Sequence, residues 1–538
     1  MNGNRCLRIA VAVVLVLGYD LGGRASAAPG HPAAEGAEDR FVTVQDGKFI
    51  DPQGRQLLLH GMSVISKNRN DNYQSFHGPE EFAQMQDWGM NCIRLGIIWD
   101  GLEPAPGQFD EQYLKKVDQR IDWAQQHGLY VFLDMHQDLY SYKFSDGAPE
   151  WATLTDGQPH VHTGGVWSDA YLTSPAIQRA FDNFWANKPC ADGVGVQDHF
   201  AAAWKHVAAR YADSPTVLGY DLFNEPNIGS KNLDAQTIMI QAFANALNQA
   251  GSPVATTATK IMQQWLEPQG RSQLMTRLKD MKIYTQVIDA VGPLFAEFER
   301  TLLTPMFQRV RDAIRLVDTN HIIFLETSMS ANMGIPTGIE PLLGPGAKPD
   351  PLQAYAPHGY DIVVDTKDLA LGSNDRVELI FSRHGQAAQR LGMPMLVGEW
   401  GAFGNAGPEI LPAARFVVRQ FEKLLCSETY WAYGRETASC AYLEILQRPI
   451  PARIAGTLLA YHAHPENGAF TCSWKEDPKV TAPSRIYLPR RSFPRKDAAR
   501  LSPKGAGFQI EAARQGSENL FLVIPPTGQA GDRRLQVN

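Results

Sequence analysis

Two apolar runs in this chain end abruptly in a carboxylate. Val217-Leu218-Gly219-Tyr220-Asp221-Leu222-Phe223 runs into Asn224-Glu225-Pro226, and Pro394-Met395-Leu396-Val397-Gly398 runs into Glu399-Trp400-Gly401. Each run reads as a buried strand whose C-terminal tip delivers a glutamate into a polar site, with Pro226 stopping the first. One glutamate at a strand end is an ordinary solvated residue. Two with these flanks are much less readily accidental, and they make each other's best counterpart.

Other polar residues sit where an apolar strand would not carry them without a reason. In Leu133-Asp134-Met135-His136-Gln137-Asp138 extended geometry puts Asp134, His136 and Asp138 on one face. Three titratable groups pointing inwards are costly without partners or a ligand. A metal could bind this D-x-H-x-D spacing, but no second His/Cys cluster completes a ligand set, so neither metal nor cofactor is expected. Arg94, inside Cys92-Ile93-Arg94-Leu95-Gly96-Ile97-Ile98, needs a carboxylate if it is buried, and Glu399 is the natural partner. His358 and Tyr360 lie two residues apart after another strand and share a face. Trp431 ends the last strand, where it either packs in the core or stacks on a ring.

The elements that position these residues alternate. Strand patterns at 57–64, 91–99, 129–136, 217–223, 321–326, 352–360, 394–399 and 428–433 are separated by helical patterns, including a long one over 233–317. Such alternation implies a parallel sheet, and eight units with polar residues at the strands' C-terminal ends predict a closed (β/α)8 TIM barrel, class α/β. A doubly wound open sheet ranks second, because no Gly-rich phosphate loop follows any strand. Asp46-Gly47 marks a hairpin ahead of the barrel. Beyond 448 the pattern changes to short strands at 469–474, 485–488, 508–512 and 519–524 between Pro/Gly turns, predicting a C-terminal β-sandwich. The expected division is 1–28 signal peptide, 29–447 barrel and 448–538 sandwich.

A formal charge of −7 leaves no basic footprint, so nucleic acid is not an expected partner. Arg5 and Arg8 precede an apolar run over 9–17, followed by Arg24-Ala25-Ser26-Ala27-Ala28. That is a basic region, a short apolar core and a small-residue cleavage site, so secretion to the extracellular side is expected, with cleavage near Ala27 or Ala28. Cys92, Cys190, Cys426, Cys440 and Cys472 remain after cleavage. The number is odd, Cys426 and Cys440 are near enough in sequence to bridge, and Cys92 reads as a buried thiol.

The set Arg94, His136, Asn224-Glu225, His358-x-Tyr360, Glu399 and Trp431 resembles glycoside hydrolase family 5. Within that family, Asp134-Met135-His136-Gln137-Asp138-Leu139-Tyr140-Ser141, Asp146-Gly147-Ala148-Pro149-Glu150-Trp151-Ala152 and Arg179-Ala180-Phe181-Asp182-Asn183-Phe184-Trp185 look like endoglycoceramidases, which cut a glycan from ceramide. The resemblance implies retaining hydrolysis, with Glu225 as acid/base and Glu399 as nucleophile. Arg94 and Tyr360 would keep Glu399 ionised, and Glu225 would titrate above it. Lys67, Asp134, His136, Asp138, Trp185, Asn224, His358, Tyr360 and Trp431 are the implied substrate-binding residues, with Asn224 on the 2-hydroxyl. The implied partners are a glycosphingolipid and, transiently, a membrane or micelle surface. A β-glucosidase acting on another lipid glycoside, such as a steryl glucoside, and a non-catalytic glycolipid-binding protein are the competing readings. Ceramide chains need an apolar path, which the apolar residues between Ile238 and Phe298 and the loop over 140–167 are expected to build.

Overall fold

The structure, a computed structural model, describes residues 40–163, 166–251, 256–364, 366, 369–464, 468–490, 499–503 and 507–537. The expected signal segment, 1–28, lies outside them. Eight parallel strands form one sheet: β1 His60–Val64, β2 Cys92–Ile98, β3 Tyr130–His136, β4 Val217–Asp221, β5 Ile322–Leu325, β6 Gln353–Tyr355, β7 Leu396–Val397 and β8 Ser427–Tyr430. β8 pairs with β1, and a parallel bridge between Tyr355 and Met395 joins β6 to β7, so the sheet closes into the predicted barrel. Past Tyr355 and Val397 the two strands break and resume as His358–Gly359 and Glu399–Trp400, which pair in parallel with His358 opposite Glu399. Each reads as one strand in sequence, because a short interruption does not disturb an apolar run.

Register and alternation stack the barrel interior in layers. Cys92, Phe132, Leu218, Ile322, Phe324, Ala354 and Leu396 form an apolar plug with Val42, Phe49 and Leu57 of the N-terminal hairpin. A Cβ on Gly219 would stand 1.9 Å from the Ile322 carbonyl oxygen and 2.9 Å from the Phe324 ring, so only glycine lets β4 and β5 approach this closely. One step up each strand from the plug the residues become charged. Arg94 follows Cys92 by two, Asp134 follows Phe132 by two, and Asp134 lies beside Asp221 in the ladder.

Between β4 and β5 the chain inserts four helices, α1 Asn232–Gln249, α2 Ala258–Leu266, α3 Pro268–Arg277 and α4 Met281–Phe298, before the helix Thr304–Arg315 that packs on the barrel. The C-terminal part is a sandwich. One sheet holds β9 Ile450–Ile454, β12 Ser484–Leu488, β15 Leu520–Ile524 and β14 Gln509–Ala512; the other holds β10 Gly456–His464, β11 Ala469–Glu476, β16 Gly531–Val537 and β13 Ala499–Ser502. Leu458, Trp474, Ile486, Leu522 and Leu535 fill the space between the two sheets. The N-terminal hairpin turns on Asp46 and Gly47, both at positive φ, as its sequence predicts. Its next strand, Gln56–Leu57, pairs with β9, so residues counted with the barrel in sequence extend the sandwich. Cys92, Cys190, Cys426, Cys440 and Cys472 are free thiols; Cys426 and Cys440, near enough in sequence to bridge, do not, and Cys92 is the buried thiol anticipated.

Candidate active site

The charged layer is built around Arg94, whose guanidinium is shielded from solvent. Nε donates to Asp221 Oδ2 at 2.9 Å and Nη1 to Glu399 Oε1 at 2.6 Å. Nη2 donates to Glu326 Oε1 at 2.6 Å and Asn224 Oδ1 at 2.9 Å, and lies 3.0 Å from Asp134 Oδ1. One planar cation thus spans β2, β3, β4, β5 and the tip of β7, which a lysine's point charge could not do. Burial and the adjacent Glu326 push the Asp221 carboxyl well up, despite Arg94.

Glu225 and Glu399 meet at the rim. An oxygen of each and a nitrogen of His358 lie within 4.8 Å of one another. Their separation fits the close pair of a retaining glycosidase, about 5 Å, and is too small for the water that an inverting pair must admit. The Tyr360 hydroxyl donates to Glu399 Oε2 at 2.9 Å. Burial pushes the Glu399 carboxyl up, opposed by His358 and Arg94. The supporting charges expected from the sequence are in place, but enclosure outweighs them. Glu225 Oε1 accepts from Asn332 Nδ2 at 2.6 Å and lies 2.9 Å from His358 Nδ1. The backbone of Glu225 is left-handed, φ 45°. Its N–H donates to Glu326 Oε2 at 2.8 Å and Gln137 Nε2 donates to its carbonyl at 3.2 Å, so the surroundings hold an unfavourable conformation that aims the acid.

Beside the glutamates lies a cavity of about 300 Å³ lined by Lys67, His136, Asp138, Asn224, Tyr360 and Trp431, among others. Lys67 is ion-paired with Asp138 and stands 4.6 Å over the Trp431 ring, which stacks on His136 at 5.0 Å. His136 Nδ1 bonds Asp134 Oδ2 at 2.7 Å. Burial and Lys67 would lower the imidazole pKa, but Asp134 and Asp138 raise it to about 9. Burial would raise the Asp138 pKa, but Lys67 and His136 lower it to about 2, while burial and Asp138 push Asp146 to about 6. Asn224 Nδ2 spends one hydrogen on the Gln137 carbonyl, which leaves its second for a ligand.

Three residues expected to touch substrate do not line this cavity. Asp134 is consumed by Arg94 and His136 beneath it. His358 is enclosed behind the two glutamates, where burial lowers its pKa but Glu326 and Glu399 raise it well above the ordinary value. Trp185 donates its indole N–H to the Asn227 carbonyl and packs against Phe184 and Phe298 in the core. Glu326, Asp221, Asn332 and Asp146 were missed. Glu326 carried a usable signal, since His321-Ile322-Ile323-Phe324-Leu325-Glu326 repeats the pattern of an apolar strand ending in glutamate. Asn332 sits in the short 3-10 helix Met329–Met333 and had none. Among the described residues three clusters of donor atoms are tight enough to share an ion, but Lys67 pairs with the first and Arg94 with the other two.

A closed (β/α)8 barrel with this pair at its C-terminal rim is the architecture of a glycoside hydrolase. The model for cellulase (glycosyl hydrolase family 5) matches residues 50–437 and that for the glycoside hydrolase family 5 C-terminal domain matches 448–537, and the chain belongs to family 5. Among its relatives, an endoglycoceramidase of Cyanea nozakii is 32% identical over 237 residues, covering 39% of this chain and 46% of that one. The chain thus spans about half the length of that relative and of one from Hydra vulgaris. Endoglycoceramidase I of Rhodococcus hoagii is 24% identical over 506 residues, 90% of this chain and 88% of that one. The solved lactosyl-enzyme intermediate of endo-glycoceramidase II from Rhodococcus sp. superposes with a TM-score of 0.68 at 25% identity, covering 91% of this chain and 98% of that one.

Proposed function

We propose that this chain is a retaining hydrolase that cuts the bond between glycan and ceramide in glycosphingolipids, releasing both intact. The observation that carries this reading is a second cavity, about 380 Å³ and mostly apolar, lined by Met239, Phe243, Met262, Trp265, Tyr284 and Phe295 among others. It shares Ser168, Asp169, Trp265, Met275, Met329, Met333 and Ile362 with the cavity beside the glutamates, so a site holding the charged groups continues into one almost without them. A substrate with a sugar at one end and hydrocarbon at the other matches that sequence of surfaces. Of the apolar residues of the helical insertion expected to build the path, Met239, Phe243, Met262, Trp265 and Phe295 line this cavity, which supports the reading, whereas Ile238, Leu274 and Met281 pack elsewhere in or against the core. Val166 of the preceding loop lines the cavity beside the glutamates, while Trp151 packs on Trp99.

In this reading Glu399 attacks the anomeric carbon while Glu225 protonates the departing ceramide oxygen. Asn332 and His358 occupy Oε1 of Glu225, leaving Oε2 to carry the proton. Glu225 then takes a proton from water, which opens the glycosyl-enzyme and frees Glu399. Arg94 and Tyr360 hold the two oxygens of Glu399 in place. A fluorescent glycosphingolipid tests the assignment: intact glycan plus ceramide is expected. Cleavage confined to steryl glucosides moves the chain to another lipid glycoside, and unchanged substrate makes it a binding protein. We also propose secretion and transient contact with a lipid surface; N-terminal sequencing of exported protein should begin near Ala28 or Pro29.

A further inference from the structure

Glu299 is a fully buried carboxylate outside the reacting groups. It begins the π-helical turn Glu299–Leu303 that follows α4, an irregular turn of the kind found at functional positions. Its oxygens are saturated by one loop: Oε1 accepts from the Ser328 N–H at 2.9 Å and the Ser328 hydroxyl at 2.8 Å. Oε2 accepts from the Thr337 hydroxyl at 2.7 Å and from the Gly338 N–H. A buried carboxylate is tolerated only where such donors replace water. Here all of them come from residues 328–338.

That loop touches the acid's side of the proposed machinery and both cavities. The Met329 N–H donates to the Pro226 carbonyl at 3.0 Å, directly behind Glu225, and the Tyr360 N–H donates to the Asn332 carbonyl at 3.1 Å. The Asn332 side chain reaches Glu225 Oε1, and Met329 and Met333 line both cavities. The Tyr284 hydroxyl of α4 donates to the Met333 carbonyl at 2.7 Å, so the apolar cavity's wall and Glu299 hold the same loop.

We propose that Glu299 is a positioning residue which, by fixing the loop over 328–338, sets Asn332 against Glu225 and so governs protonation of the leaving group. The inference rests on the hydrolase reading above. Loss of the Glu299 contacts lets Asn332 drift, and the acid loses its aim while Glu399 stays held by Arg94, whose partners all lie outside 328–338. The consequence is a defect that depends on how much protonation the leaving group needs.

The test compares wild type, Glu299→Gln, Asn332→Ala, the double variant and Ser328→Ala on two lactosides, one of a long-chain alcohol and one of 2,4-dinitrophenol. Glu299→Gln should lower kcat/KM, which reports only the step in which the leaving group departs, by about ten- to hundredfold on the alkyl glycoside and several-fold at most on the dinitrophenyl glycoside. The double variant should be no slower than Asn332→Ala, because both remove one function. Ser328→Ala, which leaves the carboxylate in place, should show the same selectivity more weakly if Glu299→Gln does not fold. Equal loss on both substrates, or additive losses in the double variant, overturns the positioning role. A wild type inactive on both lactosides and on glycosphingolipid overturns the hydrolase reading itself.

Discussion

Arg94 Nη1 lies 2.6 Å from Glu399 Oε1, and the same guanidinium holds Asp221, Glu326, Asn224 and Asp134. The nucleophile's position is therefore tied to the barrel's central charge balance rather than to a single pair.

Replacing Arg94 with methionine should leave this carboxylate cluster without its cation. The expected loss is about 3–5 kcal/mol of stability, read in urea unfolding, with turnover abolished. Arg94→Lys should recover part of the stability and little activity, since one ammonium cannot serve the same partners. Stability within 1 kcal/mol of wild type in Arg94→Met would show that the carboxylates neutralise themselves by protonation.

Glu399→Gln should abolish turnover in a protein that still folds and binds glycolipid. Glu225→Gln should slow both chemical steps but keep some cleavage of substrates with activated leaving groups, which need little protonation. Substantial glycolipid hydrolysis by Glu399→Gln would remove it from the nucleophile's role.

The His136 pKa lies above its ordinary 6.5, at about 9, so its contribution to stability is complete below pH 6.5 and is lost as the pH rises through 9. A shift of that size corresponds to at most about 3 kcal/mol. The stability gap between wild type and His136→Gln should therefore shrink between pH 6 and pH 10, as followed by thermal melts across that range. Parallel curves would mean that His136 is neutral in the folded protein.

Charges placed on the apolar cavity should separate the two halves of the substrate. Met239→Glu and Met262→Glu alter walls of the apolar cavity that are not shared with the cavity beside the glutamates. Cleavage of a ceramide-linked glycan should fall by about tenfold or more, from the cost of seating hydrocarbon against a carboxylate, while a soluble aryl glycoside is hydrolysed normally. Equal losses on both substrates would indicate misfolding, and no loss on either would take α1 and α2 out of the substrate path.

The sequence by itself determined the barrel, the two glutamates and the anomalous arginine, because all three rest on local pattern. A period-two run ending in a carboxylate, or broken by a cation, is visible within eight residues. Where the pattern was disturbed it hid the structure. β10 went unseen because its register shifts between Leu458 and Ala460, and β16 because Arg533 occupies a buried position, paired with Glu476. Only the tertiary structure decided which polar groups face the cavity and which serve the others. Asp134 and Asp138 lie four residues apart, yet one is held beneath the site by Arg94 while the other lines the cavity beside Lys67. His358 was turned from substrate towards Glu225 and Glu326, and Asn332 reached Glu225 from a 3-10 turn with no signal of its own. Strand alternation specifies a face. The depth of a side chain within the barrel, and the charge it meets there, follow from register and packing among strands far apart in sequence.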